Sequence, residues 1–559
     1  SILLVIAQSN YNHREAFHPV FYPSSGTQYR SASGEPGPEY WQNRSDYTIN
    51  ATLNPETHKV TGTVDLVYTN NSPDNLKFLW LYLEQNIYDK DSRGSATTTQ
   101  TGGRWANARF TEGHIVKSVT MESEGKKYTP ETTVTDTRMQ IWLKNTLKAK
   151  GGKTKLSIAF EFTIPEYGTD RMGQLKTRNG IVYQVAQWYP RMAVYDDVQG
   201  WNTLPYLGAG EFYSSYGDFD VNITAPANMV VVSSGELVNE KEVLTAEQQK
   251  KMNEAKNSDK TVVIKSAADV KNDKTGAASK AKTWKFNMKN ARDFAWSASS
   301  AFVWDAARIN LPSGKKSLAM SVYPVESIKK DGWQRSTEMV KASVEHYSKM
   351  WFEYPYGVMV NVAGVVGGME YPGIIFCSYS DSGEELWGVT DHEVGHTWFP
   401  MIVGTNERKY AWMDEGFNTF INSLSTKEFN NGEYATFSYF SGSEMTQLVF
   451  HKEMDPLLTT PDVVQQSNLG INAYEKPSVM LKALRNVVLG EARFDAAFRE
   501  YIRRWAFKHP TPWDFFRTME NVSGEDLSWF WRGWVMNNWK FDVAVSNVRY
   551  VEGMPARGA

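Results

Sequence analysis

The feature that most constrains this 559-residue chain is a pair of histidines four residues apart, His392 and His396, with Glu393 directly after the first. Residues four apart share one face of an α-helix, so both imidazoles can meet one metal ion if this stretch is helical. After eighteen intervening residues comes Glu415. Two histidines and a carboxylate that leave one position open are typical of catalytic zinc sites, whereas structural sites are closed, usually by cysteines. Cys377 is the only cysteine, which excludes a cysteine-rich structural zinc site.

The residues around Glu415 predict a second helix. Phe417, Ile421 and Leu424 recur at the spacing of one helix face. Glu415 therefore lies in the first helical turn, where the helix dipole favours a carboxylate. An isolated H-E-x-x-H can also be an exposed polar helix face, and the positioned third carboxylate argues against that interpretation.

Three stretches together resemble the M1 metallopeptidases of the gluzincin group, which are zinc aminopeptidases related to aminopeptidase N and leukotriene A4 hydrolase. The resemblance covers residues 322–538 and, less specifically, the β-rich part before them. The stretches stand in the family's order and at about its spacing, and they are Gly367-Gly368-Met369-Glu370-Tyr371, His392-Glu393-x-x-His396 with Glu415, and Tyr474-Glu475-Lys476.

The resemblance implies a catalytic centre with one zinc ion per chain. His392, His396 and Glu415 are the expected ligands, and Glu393 is the expected general base that takes a proton from the attacking water. Tyr474 is expected to donate a hydrogen bond to the developing oxyanion, with a buried structural tyrosine as the alternative.

The upstream stretch is expected to bind the substrate. Gly367, Gly368 and Met369 lie on a predicted edge strand whose glycines would let a peptide backbone approach closely. Glu370 is expected to bind the α-ammonium group of a free N-terminus, or else to be a strand-end carboxylate paired with a nearby Lys or Arg. The family uses a Gln or Glu of its β domain for the same amine, and Gln187 is the candidate, with a structural glutamine as the alternative.

The hydrophobic pattern predicts an α+β multidomain fold. From residue 46 apolar residues alternate with polar ones, as in half-buried antiparallel strands, and from residue 336 the period changes to that of helices. The resemblance implies a β-rich, saddle-shaped N-terminal domain followed by a mainly α-helical, thermolysin-like catalytic domain. The alternating residues are Tyr47, Ile49, Ala51, Leu53, then Val60, Val64, Leu66, Tyr68, then Leu156, Ile158, Phe160, Phe162, and Phe219, Val221, Ile223.

Four segments are predicted along the chain. Residues 1–42 are a signal-peptide remnant and an irregular arm, and residues 43–315 form the β domain. That domain contains a lysine-rich insertion at about 239–282, expected to be solvated or, alternatively, a basic docking surface. Residues 316–540 form the zinc peptidase domain, and residues 541–559 are a C-terminal strand and tail.

The apolar run at residues 1–7 resembles the end of a secretory signal peptide, with an ordinary first strand as the alternative. We therefore expect a secreted, periplasmic or cell-surface location. No later run is long and apolar enough to suggest a transmembrane helix. The net charge of -3 and the pI of about 6.4 are not those of a nucleic-acid-binding protein. The oligomeric state stays open.

Three positions depart from the family pattern: Tyr371 and Asp414 stand in place of Asn, and Pro477 stands in place of Gly. They bear on the cleft shape more than on the chemistry. Many family members also continue with a helical C-terminal domain, so we expect either a more open cleft or a fragment of a longer protein.

The predicted activity is hydrolysis of the first peptide bond of peptides with a free N-terminus. A thermolysin-type zinc endopeptidase and a non-catalytic M1-like scaffold are the alternatives. Epoxide hydrolysis, known in one branch of the family, is compatible with the same motif.

Overall fold

A computed structural model describes residues 26–97, 110–123, 125–167, 170–272, 280–435, 442–449, 451, 453–539 and 548. The predicted signal-peptide remnant lies outside these residues, and so does the predicted C-terminal strand and tail apart from residue 548. The secretory location therefore stays a prediction. Residues 26–42 of the arm are irregular, with one isolated bridge between Arg30 and Pro36.

Strands dominate the first half of the chain. They are β1 (Arg44–Asn54), β2 (Lys59–Asn70), β3 (Leu76–Tyr82), β4 (Ile115–Ser123), β5 (Lys126–Tyr128), β6 (Thr132–Thr135), β7 (Arg138–Leu147), β8 (Gly152–Thr163), β9 (Gly173–Thr177), β10 (Gly180–Val185), β11 (Arg191–Met192), β12 (Tyr195–Asp196), β13 (Gly200–Trp201), β14 (Gly217–Pro226), β15 (Val230–Ser233), β16 (Glu236–Leu237), β17 (Val262–Lys265), β18 (Ala281–Ala291), β19 (Trp296–Ser299), β20 (Val303–Asn310), β21 (Lys316–Tyr323), β22 (Val358–Gly364), β23 (Gly368–Tyr371) and β24 (Ile374–Ser378).

The largest sheet has eight strands in the order β16-β18-β14-β1-β2-β8-β4-β5. Its strands pair antiparallel except for β1 with β14, which run parallel. The alternating apolar residues predicted for β1, β2, β8 and β14 are all buried. One face of this sheet therefore packs on the core, as the period-two pattern predicts.

A six-stranded sheet in the order β17-β20-β21-β22-β24-β23 runs across the boundary predicted between residues 315 and 316. Its edge strand β17 comes from the lysine-rich insertion, which the sequence predicted to be solvated. That expectation needs correction, because Met252, Ile264 and Val270 of the insertion are buried. Most lysines among the described residues of the insertion are exposed, whereas Lys265 is buried together with the apolar residues.

Helices dominate the second half. Four short helices lie in the first half: α1 (Arg93–Thr97), α2 (Glu240–Val243), α3 (Ala246–Ala255) and α4 (Ala267–Asn272). The helices of the second half are α5 (Ser336–Met350), α6 (Gly383–Gly395), α7 (Glu407–Tyr410), α8 (Glu415–Glu428), α9 (Gly442–Val449), α10 (Lys476–Ala483), α11 (Glu491–Trp505), α12 (Pro512–Ser523) and α13 (Ser528–Trp531).

The helical period that begins at residue 336 is confirmed by one buried stripe along α5 and the residue after it, which consists of Val340, Val344, Tyr347 and Trp351. Wider turns flank α10 on both sides, at Ile471–Glu475 and Leu484–Leu489. Within the described residues, no helix has both the length and the apolar character needed to cross a bilayer.

The guanidinium of Arg30 ties the N-terminal arm to both halves of the molecule. It donates two hydrogen bonds to Asp197, at 2.7 and 2.8 Å, and one to Asp514 at 2.5 Å. It also lies 5.2 Å from the ring centre of Trp505. Because the Arg30 side chain is only 10% exposed, the two carboxylates depend on it for compensation of their charge.

We predict that Arg30→Met lowers the free energy of unfolding by about 3–5 kcal/mol, because it leaves buried carboxylates unpaired. The matched control is Arg503→Met, which removes an arginine that is 67% exposed and paired with Glu500. An exposed pair contributes about 0–1 kcal/mol. The free energy of unfolding of both variants is measured by thermal unfolding, followed by circular dichroism. If Arg30→Met and Arg503→Met lowered it equally, Arg30 would not hold the arm in place.

Candidate metal centre

Three side-chain atoms converge where α6 meets the first turn of α8. The Nε2 atoms of His392 and His396 lie 3.0 Å apart, and each is 3.2 Å from Oε2 of Glu415. Tetrahedral zinc with bonds of about 2.0–2.1 Å needs ligand atoms about 3.3 Å apart. The predicted ligand set is therefore brought together at a spacing that fits one zinc ion.

The outer hydrogen bonds of the imidazoles also fit a metal. Nδ1 of His396 donates to Oδ1 of Asp414 at 2.7 Å, and Nδ1 of His392 donates to Oδ1 of Asn422 at 2.9 Å. With the protons on Nδ1, both Nε2 lone pairs face the carboxylate of Glu415, an arrangement that a metal ion between the three atoms would stabilise. Burial raises the pKa of Glu415, but the two imidazoles outweigh it and hold that pKa well below its usual range.

The two helices approach closely because a glycine lies between them. A Cβ at Gly395 would fall 2.1 Å from Oδ1 of Asn418, so a side chain there would displace the Asn418 amide. Asn418 also donates to the carbonyl of His392 at 2.8 Å. Asp391 fixes the other side of α6, because its carboxylate accepts hydrogen bonds from Ser343, Ser425 and Tyr347 at 2.7, 2.7 and 2.8 Å.

Tyr474 reaches the centre from the turn before α10. Its hydroxyl donates to Oε1 of Glu415 at 2.5 Å, and its ring stacks on His392 with centroids 5.8 Å apart. A Cβ at Gly416 would lie 2.1 Å from Cγ of Pro477, so the two segments pack directly on each other. The departure from the family pattern at Pro477 thus takes part in placing Tyr474. Burial, followed by the Glu415 charge, raises the Tyr474 pKa, so the phenol stays protonated.

Glu393 lies beside the ligands on the buried side of α6. Its Oε2 has no hydrogen-bond partner in the described part of the chain, and a Cβ at Gly368 would lie 2.7 Å from its Oε1. Burial raises the pKa of Glu393 to about 7, against the opposing effect of the imidazoles. A carboxylate that is buried, unpartnered and next to the ligand atoms suits proton transfer.

Glu370 belongs to a second group of acidic side chains next to the metal ligands. One oxygen each of Glu211, Glu370, Glu407 and Asp414 lie within 4.8 Å of one another, and all four residues are buried. Burial is the main cause that raises the pKa of Glu370 and of Glu407 well above the usual range, and that of Asp414 to about 7. This four-carboxylate cluster therefore favours a cation.

The remaining predicted residues are placed as follows. Met369 is buried on β23, and Gly367 has open space where a side chain would be. Gln187 is buried in the β domain, where its Oε1 accepts from Tyr206 at 3.3 Å and its carbonyl accepts from Gln85 at 2.9 Å. Its role at the substrate amine stays a prediction, and the β-domain side chain that reaches Glu370 is Glu211.

Sequence reasoning missed several residues that shape the centre. Asn418 and Asn422 fall three and seven residues after Glu415, on its helix face, so the periodicity of α8 could have revealed them. Asp414 was noted only as a departure from the family pattern. Glu211 carries no local signal, because 158 residues separate it from Glu370 in the chain.

Comparisons with known proteins agree with this geometry. Residues 336–534 match the Peptidase family M1 domain. Residues 336–534 are therefore a peptidase family M1 domain. The predicted resemblance is confirmed, and zinc is the cofactor that the M1 family indicates for the His392, His396 and Glu415 site.

Similar curated proteins are aminopeptidases. The chain is 25% identical over 140 residues to Aminopeptidase M1-C of Oryza sativa subsp. japonica and 24% identical over 201 residues to Leucine aminopeptidase 2 of Saccharomyces cerevisiae. These stretches cover 24% and 34% of this chain. They span only 16% and 30% of the two relatives.

A solved M1 zinc metallopeptidase from Deinococcus radiodurans shares the fold. The TM-score is 0.57 at 15% identity, and the similarity covers 94% of this chain and all of that one. A mutant of that protein bound to a Tyr-Ser-Ala substrate matches with a TM-score of 0.59 at 15% identity, over 91% and 98% of the two chains. The predicted fold, a β-rich N-terminal region followed by a helical region, is confirmed.

We predict one zinc ion per chain in the purified protein, and loss of zinc in His396→Ala because one of three ligands is removed. The matched control is His346→Ala, since His346 lies on α5 and contacts Glu428 instead. Elemental analysis by plasma mass spectrometry measures both. If His396→Ala kept its zinc, or if His346→Ala lost zinc to the same extent, the proposed ligand set would be wrong.

Proposed function

We propose that this protein is a zinc-dependent aminopeptidase that hydrolyses the N-terminal peptide bond of peptides. The observation that carries the proposal is the pairing of two adjacent sites. A three-ligand metal centre with an unpartnered Glu393 lies next to Glu370 in the four-carboxylate cluster. The first arrangement suits hydrolysis of an amide, and the second suits recognition of a positively charged chain end.

The bound zinc would polarise the scissile carbonyl and make the attacking water more acidic. Glu393 accepts a proton from this water and passes one to the leaving amine, which departs as a neutral group. The absence of a side chain at Gly368 leaves room for this carboxylate, since a Cβ there would lie 2.7 Å from Oε1 of Glu393.

Tyr474 is proposed to donate its phenolic hydrogen to the oxyanion that develops on the scissile carbonyl. Its hydroxyl lies 2.5 Å from a ligand carboxylate, so it reaches the point where this charge forms. The raised pKa keeps the donor protonated throughout the neutral range.

Glu370 is proposed to bind the α-ammonium group, whose pKa is about 8, so that it is mostly charged at neutral pH. Measured from that anchor, the first peptide bond reaches the metal. A thermolysin-type endopeptidase has no use for a buried carboxylate at this position, so the cluster favours cleavage of single residues from the N-terminus.

We expect the wild-type protein to release single residues from a hexapeptide with a free N-terminus and to leave its N-acetylated counterpart largely intact. Glu370→Ala should raise KM for the free peptide by about 10- to 100-fold, the effect of losing a hydrogen bond to a charged group. Mass spectrometry of the products, with initial rates, measures both. Equal cleavage of the two peptides at internal bonds would identify an endopeptidase instead.

Glu393→Gln should keep its zinc and lose about 100-fold or more of kcat, because the amide retains the shape of the side chain but accepts no proton. Glu385→Gln is the matched control, since Glu385 lies on the same helix and is exposed. Activity on leucine p-nitroanilide and zinc content are measured in parallel. A Glu393→Gln variant within a few-fold of wild type would mean that another group activates the water.

A further inference from the structure

A cavity of about 320 Å³ lies where the lysine-rich insertion meets the six-stranded sheet. Pockets that bind small molecules have volumes of about 300–1,000 Å³, so the cavity is large enough for a small ligand. Its walls come from β15, β16, β18, β20 and β21, from the start of β22 and from α3. No metal ligand and no member of the four-carboxylate cluster lines it. The cavity is therefore separate from the metal centre.

The buried part of the cavity wall is apolar and partly aromatic. Phe286 of β18 and Trp304 of β20 line it together with Met320 of β21 and Met252 of α3, and each of the four is at most 8% exposed. Methionine sulfur makes favourable contacts with aromatic rings. This wall therefore suits an aromatic group of a ligand.

Two buried polar atoms of the wall have no hydrogen-bond partner in the part of the chain that the structure describes. They are the indole Nε1 of Trp304 and Oγ of Ser233, and the two residues are 2% and 1% exposed. Buried polar groups are normally satisfied. An indole N–H can only donate, whereas a serine hydroxyl can donate and accept. A hydroxyl on a ligand can therefore accept from Trp304 and also bond to Ser233.

The exposed side of the cavity carries one ammonium group and one carboxylate that form no ion pair among the described residues. Lys316 lies on the same face of β21 as Leu318, because alternate residues of a strand share a face. Its Nζ donates to the amide oxygen of Asn310 at 2.8 Å. A Cβ at Gly357 would fall 2.2 Å from Cδ of Glu236, so the glycine leaves room for this carboxylate.

These charges favour a zwitterionic ligand. Lys256 and Glu240 also line the cavity, but they are paired with each other at 2.7 Å. Lys316 and Glu236 remain, and an amine or a carboxylate alone would match only one of them. A free α-amino acid carries both an ammonium and a carboxylate group at neutral pH, so it matches both.

We propose that the cavity is a second ligand site, which binds a free α-amino acid with a hydroxylated aromatic side chain. The ring packs on Phe286, the phenolic oxygen accepts from Trp304, the ammonium group binds Glu236 and the carboxylate binds Lys316. Free amino acids are what an aminopeptidase releases, so the site would bind a product of the reaction. Only this link to the reaction rests on the proposed function.

The probe is L-tyrosine, compared with three analogues that each lack one group. Tyramine lacks the carboxylate, 3-(4-hydroxyphenyl)propionate lacks the amine, and L-phenylalanine lacks the hydroxyl. Binding to the zinc-loaded protein is measured by ligand-observed NMR titration. We expect saturable binding of L-tyrosine with a Kd of about 1 mM or lower. Each analogue should bind about 2- to 10-fold more weakly, because it loses one exposed ion pair or one neutral hydrogen bond.

Each cavity variant should abolish one of these preferences. Trp304→Phe should remove the preference over L-phenylalanine, Glu236→Gln the preference over the propionate, and Lys316→Gln the preference over tyramine. Trp284→Phe is the matched control, since Trp284 is also buried and its Nε1 has no partner among the described residues, but it does not line the cavity. Lys315→Gln changes an exposed lysine outside the cavity. Both controls should keep all three preferences.

Absence of saturable L-tyrosine binding, or binding whose preferences all three cavity variants leave unchanged, would overturn the inference. Glu370→Ala separates this site from the metal centre, since loss of L-tyrosine binding in that variant alone would assign the ligand to the metal centre instead. The proposed function is tested separately by cleavage of leucine p-nitroanilide. A protein that binds L-tyrosine as expected but does not cleave this substrate would keep the second site and lose only its link to a product.

Discussion

The centre depends on the close approach of α6 and α8, which a single glycine permits. At Gly395 a Cβ would collide with the amide of Asn418, which links α8 to the carbonyl of His392 by a 2.8 Å hydrogen bond. Because zinc ligands need to be placed within a few tenths of an ångström, the catalytic chemistry depends on this helix contact. The bonds from Asp391 to α5 and α8 then make the approach rigid.

The hydrogen bond that orients His396 also contributes to the acidic surroundings of the metal ligands. Two histidines, once metal-bound, need acceptors on their Nδ1 atoms, and Asp414 supplies one of them at the start of α8. That position brings Asp414 next to Glu370 and Glu407, so the carboxylate that orients His396 also contributes to the cluster. The metal ligands and the four-carboxylate cluster are therefore joined through Asp414.

The sequence predicted what depends on local periodicity. A period of two residues predicts the alternating residues of β1, β2, β8 and β14. A period of 3.6 residues predicts the buried stripe of α5 and the shared helix face of the two histidines on α6. Both periods depend only on residues that are close together in the sequence. Glu211 could not be predicted in this way, because its relation to Glu370 arises only when two domains pack together. The insertion was misjudged for a similar reason: its lysines dominate the composition, while the few apolar residues around Ile264 decide where it packs.

The six-stranded sheet joins the two halves of the chain, because it contains strands from both. β17 and β20 come from the region predicted as the β domain, while β22, β23 and β24 lead into the metal helix. β23, which carries Glu370, is thus joined by continuous strand pairing to the N-terminal part of the chain. The loop that carries Glu211 is fixed on α7 by separate bonds to Glu407 and Arg408. Two separate connections, the strand pairing of β23 and the hydrogen bonds of the Glu211 loop to α7, therefore position the carboxylates of the cluster.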